Sequence, residues 1–301
     1  MDFLILHRFL GCIVDFFLPR TCIICEAVLS DDEELLCRDC AGDVPHTYFW
    51  LLRNNPMADK FNALIQEDIV AALDTEAKDR KMGTVPEKVS ATLGRGGATW
   101  SRGERYAYAA ALFFYRADSE YRRITQVIKY HGRTDVGRTF GRMLGEKLRG
   151  SALYADVDAI VPVPLHWIRQ WDRGYNQAEI IAGGVADAMG APLRNDILRR
   201  CRHTTTQTRL EIDEKARNVK GAFAVDERWL KSMKGRACLP SSCSIEYPNP
   251  DSTLPELRHI LLIDDVYTTG STLHACFLAL RTLFPSGVRI SVATLGFVGR
   301  A

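Results

Sequence analysis

The sequence predicts an α/β protein, a mostly parallel sheet flanked by helices, with a small four-cysteine module at its amino-terminal end. Three observations lead there. From residue 156 onward, apolar runs suited to buried strands (VDAIVPVP, HILLIDD, VRISVATL) alternate with helical segments such as AEIIAGGVADAMG and the stretch from about Ser271 to Leu283. Near the amino terminus, two CxxC pairs stand eleven residues apart. The segments that follow the strands carry Thr, Gly, Lys and Arg, at the edge where sheets of this kind bind ligands.

With 301 residues, 47% hydrophobic and 25% charged, the chain is long enough for one large core and an appended module. A net charge of +2 does not by itself mark a nucleic-acid or membrane protein. The opening MDFLILHRFLGCIVDFFLP is apolar, but Asp2, Arg8 and Asp15 interrupt it and no small-residue cleavage site follows before Cys22. It reads as an amphipathic helix packed on the body. No later window approaches the roughly 18 apolar residues of a membrane span, so no span is expected and the cytoplasm is the expected location.

In TCIICEAVLSDDEELLCRDC the order is Cys22, two residues, Cys25, eleven residues, Cys37, two residues, Cys40. Each CxxC turn aims two thiolates at one point, and two such turns supply a closed tetrahedral site of the kind structural Zn2+ prefers. Nine cysteines, an odd number, argue against a disulfide framework. A redox site would need a single CxxC after a strand. The acids between the pairs, Asp31 to Glu34, disfavour contact with a phosphate backbone at that tip. His46 reads as a packing or surface histidine.

The expected organisation is an amino-terminal helix and zinc module over 1–60, a linker or insertion over 61–105, and the α/β domain over 106–301, with 231–258 as a polar insertion whose Cys238 and Cys243 are free thiols. YAYAAALFFYRA suits a strand entering the core. Ile124, Val127 and Ile128, then Val136, Phe140, Leu144 and Leu148, mark two helices broken at His131 and Gly132. From Arg116 to Arg149 nine Lys or Arg face four acids, either a solvated face or an anion-binding surface. Lys129, His131 and Arg133 bracket the helix break, where charges can converge on a ligand.

Three strand-following segments carry distinctive chemistry. LLIDDVYTTGST places Asp264 and Asp265 at the end of an apolar run and continues through Thr268, Thr269, Gly270, Ser271 and Thr272 into a helix. Backbone N–H groups of such a loop, with the helix dipole, suit a phosphate. A strand that ends and solvates its acids would give the same pattern. The second segment offers Arg169, Arg173 and Gly174; the third, residues 199–220, has seven Lys or Arg against three acids and reads as a cationic lid.

LLIDDVYTTGST resembles the phosphoribosyl pyrophosphate signature of type I phosphoribosyltransferases. With IVPVPLHWIRQWDRGYNQAEIIA, RRCRHTTTQT…ARNVKGAF, KYHGRTDVGR and the double CxxC, the chain is similar to the ComF family of late competence proteins. The resemblance implies a type I phosphoribosyltransferase-like domain and a zinc ribbon. It implies that Asp264 and Asp265 contact ribose hydroxyls directly or through Mg2+, that Thr268 to Thr272 hold the 5′-phosphate, and that Arg169 and Arg173 face the pyrophosphate; Lys129, at the helix break, is a further candidate for binding the ligand. Arg202 and Gln207 would lie on the lid over the reacting centre. Purine-salvage members carry an aspartate where this chain has Thr268, which argues against a free purine acceptor. The implied role is bacterial DNA uptake with single-stranded DNA and a competence helicase, the site holding phosphoribosyl pyrophosphate or a related nucleotide. The alternative is an active, amidophosphoribosyltransferase-like glycosyltransferase moving phosphoribose to an unidentified acceptor.

Overall fold

In chain order the strands are β1 (Ala109–Phe114), β2 (Ala159–Pro162), β3 (Leu198–Arg200), β4 (Phe223–Val225), β5 (His259–Tyr267) and β6 (Arg289–Phe297). The helices are α1 (Arg38–Gly42), α2 (Pro56–Lys81), α3 (Arg122–Tyr130), α4 (Thr134–Arg149), α5 (Gln177–Met189) and α6 (Ser271–Arg281). This computed structural model describes residues 20–81, 106–165, 174–201, 221–229, 257–284 and 287–299. The expected amino-terminal helix, most of the lid, nearly all of the 231–258 insertion, Arg169, Arg173 and Arg202 lie outside the described residues.

The main sheet has the order β1-β6-β5-β2 and every pairing in it is parallel. Its strands are near-continuous apolar runs because both faces are covered. Alternation along β5 divides the core: Ile260 and Leu262 enter one cluster with Phe61, Phe277 and Val292, while Leu261 and Ile263 enter another with Ile128, Phe140 and Ile181. Helices α2 and α6 therefore cover one face, and α3, α4 and α5 the other. The short antiparallel pair β3–β4 packs against α6.

Helices α4 and α5 meet closely because Gly137, Gly141 and Gly145 recur four residues apart on α4 and Gly184 faces them from α5. A Cβ on Gly141 would lie 2.2 Å from the Ile181 carbonyl oxygen, and one on Gly184 would lie 2.2 Å from that of Arg138. Only glycine permits this separation.

The polar stretch expected as a linker differs from expectation over its first part. Helix α2 runs to Lys81 across the boundary at residues 60 and 61. Met57, Phe61 and Ile65 are buried and Ile69 packs against them, so one narrow stripe holds an otherwise polar helix to the sheet. Asn55 starts it: its side-chain oxygen accepts from the Met57 and Ala58 amides at 3.1 and 2.9 Å, and Pro56 occupies the first turn.

Both outer strands of the sheet have partners beyond it. Along β1, the Thr47 amide donates to the Leu112 carbonyl, the Phe114 amide to that of Pro45, and the Asn55 side-chain amide to that of Ala109. Along β2, the Ile160 amide donates to the Pro192 carbonyl and the Arg194 amide to that of Ile160.

Candidate functional site

Parallel strands bring their carboxyl ends to one edge, and β5 is an inner strand that reaches it with Asp264 and Asp265. The Asp265 amide donates to Asp264 Oδ1 at 2.9 Å. Lys129 Nζ, from the last turn of α3, lies 2.7 Å from Asp265 Oδ2. Burial, and then the Asp265 charge, push the Asp264 carboxyl up to about 7 against the opposing influence of Lys129 and Arg200. Burial opposes the Lys129 charge, but Asp265 outweighs it and holds the ammonium above its ordinary range.

The two carboxyls do not fit a divalent cation: Asp264 has high proton affinity, and one Asp265 oxygen is already held by an ammonium. A divalent ion such as Mg2+ is ordinarily held through one or two ionised carboxylates together with water and substrate phosphates, and it would have to compete with that proton and that ammonium here.

The Asp264 shift makes a prediction. An unfolded chain releases this proton near 3.8 and the native state near 7, so native stability falls as pH rises through that window and levels above it. Asp264→Asn removes the penalty and should raise stability at pH 8 by on the order of 2–4 kcal/mol while changing little at pH 4. Urea titrations at the two pH values measure it, and an equal effect at both would refute the account.

Beyond the pair, the chain turns at Gly270, whose φ of 79° suits glycine and which has no side chain to cap α6; the Ser271 amide donates weakly to Thr269 Oγ1 at 3.4 Å. Thr269 Oγ1 and Ser271 Oγ lie 2.9 Å apart, and Thr268 is exposed. The Tyr267 ring lies beneath this loop, so that a Cβ on Gly270 would meet its hydroxyl at 2.4 Å. The Tyr267 hydroxyl is buried and has no hydrogen-bond partner among the described residues.

Of the three charges at the helix break, Lys129 alone pairs with the acidic residues. Arg133 is engaged by Asp135 at 2.7 Å, and His131 is exposed. Local pairing also takes Arg116, Arg123 and Arg138, so much of the basic segment is neutralised. Two participants were not anticipated. Arg200, on β3, acts electrostatically on Asp264; in sequence it is one cation among seven. Tyr175 donates its hydroxyl to the Ile128 carbonyl, which fixes the end of α3 beside Lys129.

In the cysteine module, the Sγ atoms of Cys22, Cys25, Cys37 and Cys40 all lie within 4.8 Å of one another. A tetrahedral site with Zn–S near 2.3 Å needs sulfurs roughly 3.8 Å apart, so the four fit one such ion. The first knuckle is closed by the Cys22 amide donating to the Ala27 carbonyl, and the second cysteine pair straddles the start of α1. Burial would raise the Cys22 thiol, but backbone N–H groups of the knuckles outweigh it and lower it to about 7. Glu33 accepts from the Ser30 and Arg38 amides, and Asp32 pairs with Arg38, so acids of the intervening tip brace it. The module is continuous with the main core: Tyr121 donates to the Cys40 carbonyl at 2.8 Å, Arg123 donates to that of Ile24 at 3.1 Å, and Ile23, Ile24 and Leu29 are buried. His46 packs against Trp50 and contacts the Leu112 carbonyl, as a packing histidine.

A second constellation has the form of a hydrolytic triad: His259 lies 2.8 Å from Ser291 Oγ and 2.7 Å from Asp156. It stands at the amino-terminal end of β5, opposite the acidic pair, and Ser291 and His259 are both 0% exposed. It joins β5 to β6 internally and offers no reachable nucleophile.

Fold and site together define an α/β protein with an acidic pair and a Thr/Gly loop at the carboxyl edge of a parallel sheet, braced by a four-cysteine module. No family model matches the chain. Among curated proteins it is 31% identical to Competence protein F of Haemophilus influenzae over 163 residues, 53% of this chain and 61% of that protein. It is 28% identical to DNA utilization protein YhgH of Salmonella typhi over 148 residues, 48% of this chain and 54% of that protein. It is 29% identical to Competence protein ComFC of Bacillus subtilis over 149 residues, 49% of this chain and 48% of that protein. The names and identities of these relatives support placing the chain with the ComF family of competence and DNA utilization proteins. It spans between about half and three-fifths of the length of these relatives. Among the described residues no helix is long and apolar enough to cross a membrane.

Proposed function

We propose that this chain binds a phosphorylated ribose, phosphoribosyl pyrophosphate or a related nucleotide, at the carboxyl edge of its sheet and acts in bacterial DNA uptake with single-stranded DNA and a helicase partner. The observation that carries the ligand reading is the convergence of Asp264, Asp265 and Lys129 beside the Thr/Gly loop that leads into α6. Carboxylates accept from ribose hydroxyls, and the loop amides take the 5′-phosphate. Mg2+ would come with the diphosphate of the ligand, not on the carboxylates. The role in DNA uptake draws on the names of the competence and DNA utilization relatives. The four cysteines hold a structural Zn2+, closed to chemistry because all four positions are protein sulfur.

A second reading, transfer of phosphoribose to an amine or base, is favoured by Arg200, a cation beside the acidic pair that would stabilise a leaving diphosphate. Calorimetry with phosphoribosyl pyrophosphate and Mg2+ should show binding that Asp265→Asn weakens by about tenfold or more, the size of one charge-assisted contact. A parallel titration with a single-stranded oligonucleotide at low salt should show affinity that falls as salt rises. Absence of binding by the parent protein in either titration removes the corresponding half of the proposal. Release of pyrophosphate on addition of candidate amines decides between binding and transfer.

A further inference from the structure

An acidic pair at a strand end needs a counter-charge, and here it is an amino group supplied from another layer of the fold. Lys129 Nζ lies 2.7 Å from Asp265 Oδ2, with the lysine side chain 28% and the aspartate side chain 16% exposed. A pair so far withdrawn from water is not a loose surface contact. Its geometry is also fixed at both ends. Ile128, the neighbour of Lys129, is fully buried and its carbonyl is held by Tyr175, while Asp265 sits in strand β5 with its amide bound to Asp264. The ammonium takes Oδ2 and, among the described residues, leaves Oδ1 without a hydrogen bond. It also stands where a divalent ion would have to bind to neutralise the pair.

We propose that Lys129 is the built-in counter-ion of the acidic pair, a positioning residue that holds Asp265 ready to accept ribose hydroxyls with no divalent ion between carboxylate and sugar. The proposal rests on the ribose-phosphate reading of the site and adds to it: recognition of the sugar is independent of metal, and only a diphosphate on the ligand would call for one. Lysine suits the role as a compact point charge with three donors, able to satisfy Asp265 and still reach a neighbouring oxygen.

The test is calorimetry with ribose 5-phosphate, which lacks the diphosphate, in EDTA and in Mg2+. The parent protein should bind equally in the two buffers, within about twofold. Lys129→Met should lose at least about tenfold in EDTA, one charge-assisted contact, and recover part of it in Mg2+, while Lys129→Arg keeps part of the affinity. Mn2+ alone, followed by electron paramagnetic resonance, should show a bound ion in Lys129→Met that the parent lacks. That gain requires folded protein and so separates a lost counter-ion from a lost structure.

The proposal is overturned if parent binding of ribose 5-phosphate drops about tenfold or more in EDTA, or if Lys129→Met binds it in EDTA as the parent does. In either case, binding of phosphoribosyl pyrophosphate by the parent would leave the ribose-phosphate reading standing. If the parent binds neither sugar phosphate in either buffer, that reading fails and this inference fails with it.

Discussion

Gly184→Ala should destabilise the protein by roughly 3 kcal/mol or more, while Gly183→Ala, one residue earlier on the same helix, should stabilise it by up to about 1 kcal/mol. The opposite signs come from what each new methyl group meets. At Gly183 nothing lies within 4 Å, so alanine only lowers the backbone entropy lost on forming the helix. At Gly184 the methyl group would stand 2.2 Å from the Arg138 carbonyl oxygen and 2.7 Å from the Arg142 amide nitrogen. Both are backbone atoms of α4, and no rotamer change relieves the contact. The helices would have to part, opening the layer that holds Phe140, Leu144 and Val185. Urea denaturation of the two variants, fitted with a common slope, measures the difference. Shifts in the same direction would show that the helices are not in this contact.

Removing the Zn2+ proposed for the cysteine module, or replacing Cys37 by serine, should unfold more than the module. Structural zinc sites contribute on the order of 10 kcal/mol to the folded state of small domains, because the unfolded chain has no preformed site. Here the four sulfurs hold a segment whose Ile23, Ile24 and Leu29 share a core with Ile124 and Phe113. Without the metal the sulfurs take up protons and lose the bonds that tie them together, and the contacts from Tyr121 to Cys40 and from Arg123 to Ile24 lose their base. Chelation should therefore lower the melting temperature of the whole protein in a single transition, with release of one zinc per chain measured by mass spectrometry. Two separated transitions, the upper one unchanged from the parent, would show instead that the module melts alone.

Much of this was legible in the chain because its signals are local. HILLIDD, VRISVATL and the alternation of Ile124, Ile128, Phe140 and Leu144 state strand and helix faces directly, and the CxxC spacing states a four-thiol cluster. What was not legible is set by distance in sequence. Lys129 stood out as a charge near a helix break, but its partner Asp265 lies on another element. Arg200 looked like the rest of a basic loop, and only packing of β3 against α6 puts it near Asp264. The glycines of α4 recur visibly at every fourth residue, yet their meaning depends on Gly184. Helix α2 was obscured because its buried residues Met57, Ala58, Phe61 and Ile65 are few and all lie in its first part, and the polar majority resembles a connector.

The contacts along the two outer strands decide how this protein can meet others. On β1 the positions beyond the sheet are taken by Pro45, Thr47 and Asn55, and on β2 by Pro192 and Arg194. An open strand is a template onto which another chain can add its own backbone. At these positions there is no vacancy for one, so the sheet is shielded from lengthening into a larger assembly there. Any partner engaging these edges must read side chains and shape rather than join the backbone ladder. The run from Pro45 to Asn55 thus does two jobs at once, leading away from the cysteine module and guarding the sheet against unwanted company.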